Sequence, residues 1–143
     1  MPVLDEPIAT EIIPGLWLGN YCASQNRKFI DDYKIKHIIN VTPNYPNVFK
    51  DIEYVKIPVK SSIKSTHKIL KNLLPYTYYF IDKVLPDNIL VHCKSGHRRS
   101  ATVVAYYLMR KNKLSCKKAI ELIKKRRPTT FPPKTYIKDV LIQ

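Results

Sequence analysis

Asn88-Ile89-Leu90-Val91-His92-Cys93-Lys94-Ser95-Gly96-His97-Arg98-Arg99-Ser100 carries the reading of the fold. Ile89 to His92 is a short, largely apolar run of strand type, and Ala101 to Arg110 beyond it is apolar almost all round, as a buried helix is. A buried strand running into a buried helix places the loop between them at the carboxyl edge of a sheet, where α/β folds carry their chemistry. That loop sets one thiol, Cys93, among five residues that are or can become cations: His92, Lys94, His97, Arg98 and Arg99.

A helix amino end attracts anions through its unpaired N–H groups and its dipole, and Gly96 lets the chain fold its amides inward around a phosphate. The same field lowers a cysteine pKa from about 8.5 by one to several units, which makes Cys93 a candidate thiolate nucleophile at neutral pH. Arg99 can present a planar fork to two phosphate oxygens, which lysine does less well. Ser100 has a hydroxyl that can donate to the sulfur and make it a better leaving group. Lys94, Ser95, Gly96, His97, Arg98 and Arg99 together form the expected phosphate-binding set, and the cations then serve both the thiolate and the dianion it attacks.

Outward from this loop the elements alternate. Ile12 to Gly19 holds the turn signal Pro14-Gly15 and predicts a small hairpin; Ala23 to Tyr33 predicts a short helix. Lys36 to Val41, Tyr54 to Val59 and Ile89 to His92 are β-branched runs of strand type. Thr66 to Leu85 carries Ile69, Leu70, Leu73, Leu74, Phe80, Ile81 and Val84 at helical spacing, with Pro75 predicting a kink or two abutting helices. Ser115 caps a helix reaching Arg127, and Lys134 to Ile142 supplies a last one. The expected fold class is α/β, a single compact domain over residues 1–143. Its sheet is central and mainly parallel, of four to five strands, with helices on both faces.

Composition narrows the function classes. A length of 143 residues suffices for one core without staples, and no apolar run is long enough to cross a bilayer. The amino end lacks the basic start and apolar core of a secretory signal, so a cytoplasmic protein, with the nucleus also open to it, is expected. Cys22, Cys93 and Cys116 are odd in number and lack paired spacing, which points to reduced thiols and no metal site. Lys and Arg total 25 against 11 Asp and Glu, a formal charge of +14. Such a balance favours phosphorylated proteins, nucleic acid or anionic lipid headgroups as partners. Lys124-Lys125-Arg126-Arg127 reads as a solvated helix end suited to the dipole.

His-Cys, five intervening residues, then Arg-Ser resembles the signature of the cysteine-dependent protein tyrosine phosphatases. More of the chain resembles one branch, the dual-specificity phosphatases, above all the catalytic domains of the kinase-directed members. Gly15-Leu16-Trp17-Leu18-Gly19-Asn20, Ile38-Ile39-Asn40-Val41-Thr42 with Pro46-Asn47, and Ile57-Pro58-Val59 are similar to their strands. Arg99-Ser100-Ala101-Thr102, Tyr107-Leu108-Met109-Arg110 and Arg126-Arg127-Pro128 extend the likeness from about Thr10 to Leu141. The resemblance implies hydrolysis of phosphotyrosine, phosphoserine and phosphothreonine through a phosphocysteine on Cys93, with Arg99 and the loop amides stabilising the transferred group. It also implies a loop-orienting role for His92, no cofactor, and phosphorylated proteins as partners.

One departure matters. Family members usually carry an aspartate just after the Ile-Pro-Val strand to protonate the leaving oxygen, whereas this chain reads Lys60-Ser61-Ser62. Asp51, Glu53, Asp82 and Asp87 are the nearest carboxylates in sequence, and Asp87 after Pro86 reads as a turn residue. A missing acid hurts poor leaving groups most. RNA 5′-triphosphates or phosphoinositides are therefore alternative substrates, matched by the extra cations Lys94, His97 and Arg98. A phosphate-binding module with little turnover is the alternative from another class.

Overall fold

The computed structural model describes residues 6–60, 66–133 and 138–141. Strands β1 (Ala9–Ile13), β2 (Leu16–Gly19), β3 (His37–Asn40), β4 (Glu53–Lys56) and β5 (Ile89–His92) form one five-stranded sheet in the order β1-β2-β5-β3-β4. Only the β1·β2 hairpin is antiparallel, and the remaining pairs run parallel, as the alternation of strands and helices requires. The expected α/β architecture with a mainly parallel sheet is the observed one.

Strand periodicity divides the interior in two. Leu16, Leu18, Ile39, Ile89 and Val91 face a core shared with Leu70, Leu74, Ile81, Val103, Val104 and Ile123. Their neighbours Trp17, Ile38 and Leu90 point the other way, onto Ala23, Phe29 and Ile30. β2 and β5 are buried at every position, so their sequences read as continuous apolar runs rather than alternating ones. Helices α3 (Thr66–Val84), α4 (Arg99–Asn112), α5 (Cys116–Arg126) and α6 (Lys138–Leu141) cover the first face, and α1 (Tyr21–Gln25) and α2 (Arg27–Asp32) the second.

Local chemistry sets the boundaries. The helix expected over Ala23 to Tyr33 is two helices, because Asn26 ends α1 with its N–H on Ala23 O and caps α2 by accepting from Phe29 N at 3.0 Å. Ser115 caps α5 as expected, its hydroxyl accepting from Lys118 N at 3.1 Å. α3 runs through Pro75 as one helix. An interior proline costs about 3 kcal/mol, and burying Leu70, Leu74 and Ile81 completely offsets that at roughly 1.5–3 kcal/mol each. Ile69, expected on the apolar face, is 48% exposed.

β4 stops at Lys56 rather than Val59. Pro58 has no N–H for a ladder, and the chain leaves the sheet with Ile57 N on Asn40 O at 2.7 Å and Val59 N on Ile57 O at 2.8 Å. Of the expected last helix, residues 134–137 and 142 lie outside the described residues. Among the described residues no helix is long and apolar enough to cross a membrane.

Candidate active site

β2, β3 and β5 end together, with Gly19 and Asn40 both in register with His92. Cys93 is the first residue past that edge, and α4 begins at Arg99. Between them the chain turns its carbonyls outward, one after another. His92 Nδ1 lies 3.1 Å from Cys93 O, Tyr21 N donates to Lys94 O at 3.1 Å, and Arg127 donates to Ser95 O at 3.1 Å and Gly96 O at 3.2 Å. Phe131 N donates to His97 O at 2.8 Å, and Thr102 reaches Arg98 O with both its amide and its hydroxyl at 2.9 Å. In a trans peptide the C=O and the following N–H point in opposite directions, so six outward carbonyls turn six amides toward the loop's centre.

Cys93 sits at that centre, 2% exposed. Ser100 Oγ is 3.0 Å from its Sγ. Burial pushes the thiol up. The Arg99 charge, the Ser100 hydroxyl and the amides of Ser100 and Gly96 pull it down by more, and the balance leaves it below the ordinary cysteine value. Arg99 is itself buried, one guanidinium arm donating to Val59 O at 2.8 Å. A cavity of about 300 Å3 opens over the sulfur, lined by Cys93, Lys94, Ser95, Arg98 and Arg99.

A buried sulfur under inward amides, beside a guanidinium and a hydroxyl, has the chemistry of a nucleophile for a phosphoryl group. Comparison with known proteins agrees: a model of the dual specificity phosphatase catalytic domain matches residues 16–142. The chain belongs to the dual-specificity phosphatase family. It is 35% identical to human dual specificity protein phosphatase 9 over 92% of this chain and 35% of that protein. It is 36% identical to the Drosophila melanogaster dual specificity protein phosphatase Mpk3 over 92% of this chain and 33% of that one. The chain thus spans about a third of the curated relatives it matches. Among solved structures, DUSP15 superposes with a TM-score of 0.78 at 29% identity, covering 93% of this chain and 84% of that one. The Yvh1 phosphatase domain from Chaetomium thermophilum shares the fold, with a TM-score of 0.79 at 22% identity and 92% of each chain covered.

The side chains of the loop divide between the cavity and its back. The His97 imidazole faces away from the cavity, its Nε2 2.9 Å from Glu6 Oε2, so only its backbone amide is left to meet a phosphate. Gly96 makes the loop possible. Its φ is +77°, and a Cβ there would stand 2.7 Å from Gly19 O. His92, counted among the potential cations, is neutral at pH 7. Burial pulls it down to about 4 although its bond to Cys93 O resists, and the Arg99 and Lys56 charges lower it further.

None of the four candidate acids reaches the cavity. Asp51 pairs with Arg27 and Lys36, Glu53 with His37 and Lys83, and Asp82 with Lys111 and the Tyr107 hydroxyl. Asp87 lines a separate hollow with Lys34, Lys36, His37, Pro86 and Asn88, at the start of β3 and β5. Ser61 and Ser62 lie outside the described residues. Among the described residues no group of three or more His, Cys, Asp or Glu side chains is placed to hold a metal ion.

Two site-building residues escaped the sequence reading. Arg127, taken for part of a solvated helix end, is 1% exposed and grips the loop. It follows Ile120 and Ile123 at i+7 and i+4, on the buried face of α5, and that spacing was the available signal. Gly19 is the other, one of only three glycines in the chain.

Proposed function

We propose that this chain is a cysteine-dependent dual-specificity phosphatase that acts on phosphotyrosine and on phosphoserine or phosphothreonine in proteins, with no cofactor. The observation that carries the proposal is the Cys93 sulfur, held 3.0 Å from Ser100 Oγ beneath the loop amides and beside Arg99. In the first step the thiolate attacks phosphorus, the S–P bond forms, the P–O bond breaks, and the side-chain oxygen leaves with its electron pair and takes a proton from solvent. Inward amides and Arg99 hold the three equatorial oxygens through the transition state. In the second step water attacks phosphorus and gives up a proton to solvent, the S–P bond breaks with its electron pair returning to sulfur, and inorganic phosphate leaves. The Ser100 hydroxyl donates to the sulfur as its charge returns. A catalytic unit of one domain in a reducing compartment, cytoplasm or nucleus, fits a mechanism that needs a free thiolate.

A second reading has its own support. No carboxylate is among the five residues lining the cavity, and Lys94 and Arg98 add charge at its wall. Substrates whose leaving group departs without a proton, such as RNA 5′-triphosphates, or those with several phosphates, such as phosphoinositides, suit such a cavity.

A turnover panel decides between them: phosphotyrosine and phosphothreonine peptides, triphosphorylated RNA, a phosphoinositide and an aryl phosphate, with Cys93→Ser as control. Peptides turned over faster than RNA or lipid support the first reading. RNA or lipid at least about a hundredfold faster supports the second. Tight peptide binding with no phosphate released from any substrate overturns both in favour of a binding module.

A further inference from the structure

We infer that Arg127 is a positioning residue for the reaction: by holding the carbonyls of Ser95 and Gly96 outward, it aims the amide of Gly96 at the Cys93 sulfur. The inference rests on the thiolate role given to Cys93 above. Arg127 Nη2 donates to Ser95 O at 3.1 Å and Nε to Gly96 O at 3.2 Å, so one planar fork spans two consecutive peptides. The Ser95 carbonyl and the Gly96 N–H belong to one trans peptide and point in opposite directions. Pinning the oxygen at the back therefore turns the N–H to the front, where the Gly96 amide is among the groups that hold the Cys93 thiol below its ordinary value.

The fork has its own anchor. Arg127 Nη1 donates to Pro7 O at 2.8 Å and Thr10 Oγ1 at 2.9 Å, and Nε lies 3.7 Å from Glu6 Oε1. Glu6 in turn holds His97 at 2.9 Å and accepts from the Thr129 hydroxyl. Glu6, Pro7 and Thr10 precede residue 16, where the family match begins. The brace thus ties an amino-terminal segment outside that match to the catalytic loop.

Lysine separates aim from charge. Arg127→Lys keeps the positive charge behind the loop, but a single ammonium cannot span both carbonyls while also reaching Pro7 and Thr10. Site-resolved alkylation of Cys93 by iodoacetamide against pH, read by mass spectrometry, reports thiolate content without needing a substrate. Arg127→Lys and the volume-matched Arg127→Met are expected to move the alkylation midpoint up by about one pH unit and slow the neutral-pH rate about tenfold. The kcat on an aryl phosphate falls at least as far. A folded Arg127→Lys protein whose midpoint matches the parent overturns the inference, leaving only a charge effect. If neither variant keeps the parent's near-UV circular dichroism, Arg127 is a fold residue and the inference also falls. A parent that alkylates as a thiolate yet releases no phosphate refutes the phosphatase reading and leaves this test intact.

Discussion

Gly96 lies flat against Gly19: a Cβ on Gly96 would stand 2.7 Å from the Gly19 carbonyl oxygen and 2.8 Å from its carbon. Both obstacles are backbone of a fully buried strand, so neither can swing aside. Gly96→Ala adds the strain of a left-handed φ to that collision, about 1–3 kcal/mol before any loop movement. Urea unfolding should show that loss, and turnover of an aryl phosphate should fall at least about a hundredfold as the amides leave the sulfur.

Ser100 Oγ, 3.0 Å from Cys93 Sγ, matters most when sulfur must leave. Loss of a hydrogen bond to a charged group costs about 1.5–3 kcal/mol, or roughly ten- to a hundredfold in rate. Ser100→Ala should slow breakdown of the phosphocysteine more than its formation. Rapid-quench experiments should then show a burst of leaving group and an accumulated phospho-adduct, both missing from Cys93→Ser.

Acid should destabilise the fold through His92. Its folded value is about 4 against an ordinary 6.5, so between these limits the unfolded chain binds the extra proton and stability falls as pH falls. The full span is worth on the order of 3 kcal/mol, and above pH 6.5 the effect vanishes. Melting of the parent should drop from pH 6.5 to 4 more steeply than that of His92→Asn, in which the carboxylates still titrate but this group does not.

Asp82→Asn and Asp87→Asn should leave kcat on phosphopeptides within about twofold of the parent. Asp82 accepts from Tyr107 and pairs with Lys111, and Asp87 sits at the opposite end of the parallel strands from Cys93. A loss of two or more powers of ten, confined to peptide substrates, would identify a proton donor that this geometry excludes.

What the sequence disclosed depended on range. The β5–loop–α4 unit is local, contiguous and fully patterned, so Cys93, Arg99 and Ser100 could be placed in relation to one another from spacing alone. The brace behind the loop brings together residues as far apart as Pro7 and Arg127, and no local pattern reports such a meeting. The direction of the His97 side chain was hidden for the same reason: its partner Glu6 lies 91 positions away. Of the two outcomes expected at Pro75, a kink or two abutting helices, the second does not occur, because the burial of Leu70, Leu74 and Ile81 outweighs a breaker that acts only locally.

All three glycines border β2 or its partner's loop. Gly15 and Gly96 each press backbone on backbone across the β2·β5 pair, Gly15 against Pro86 and Asp87, Gly96 against Gly19, while Gly19 also abuts Ile8. With no side chain as a cushion at either end, β2 and the central strand β5 meet the flanking turns backbone to backbone, and Cys93 follows directly on the tip of β5. Amide deuteration should be slowest at the register pair Leu18 and Val91, and any adjustment to a substrate would then fall to the long side chains around Cys93 rather than to the strand beneath it.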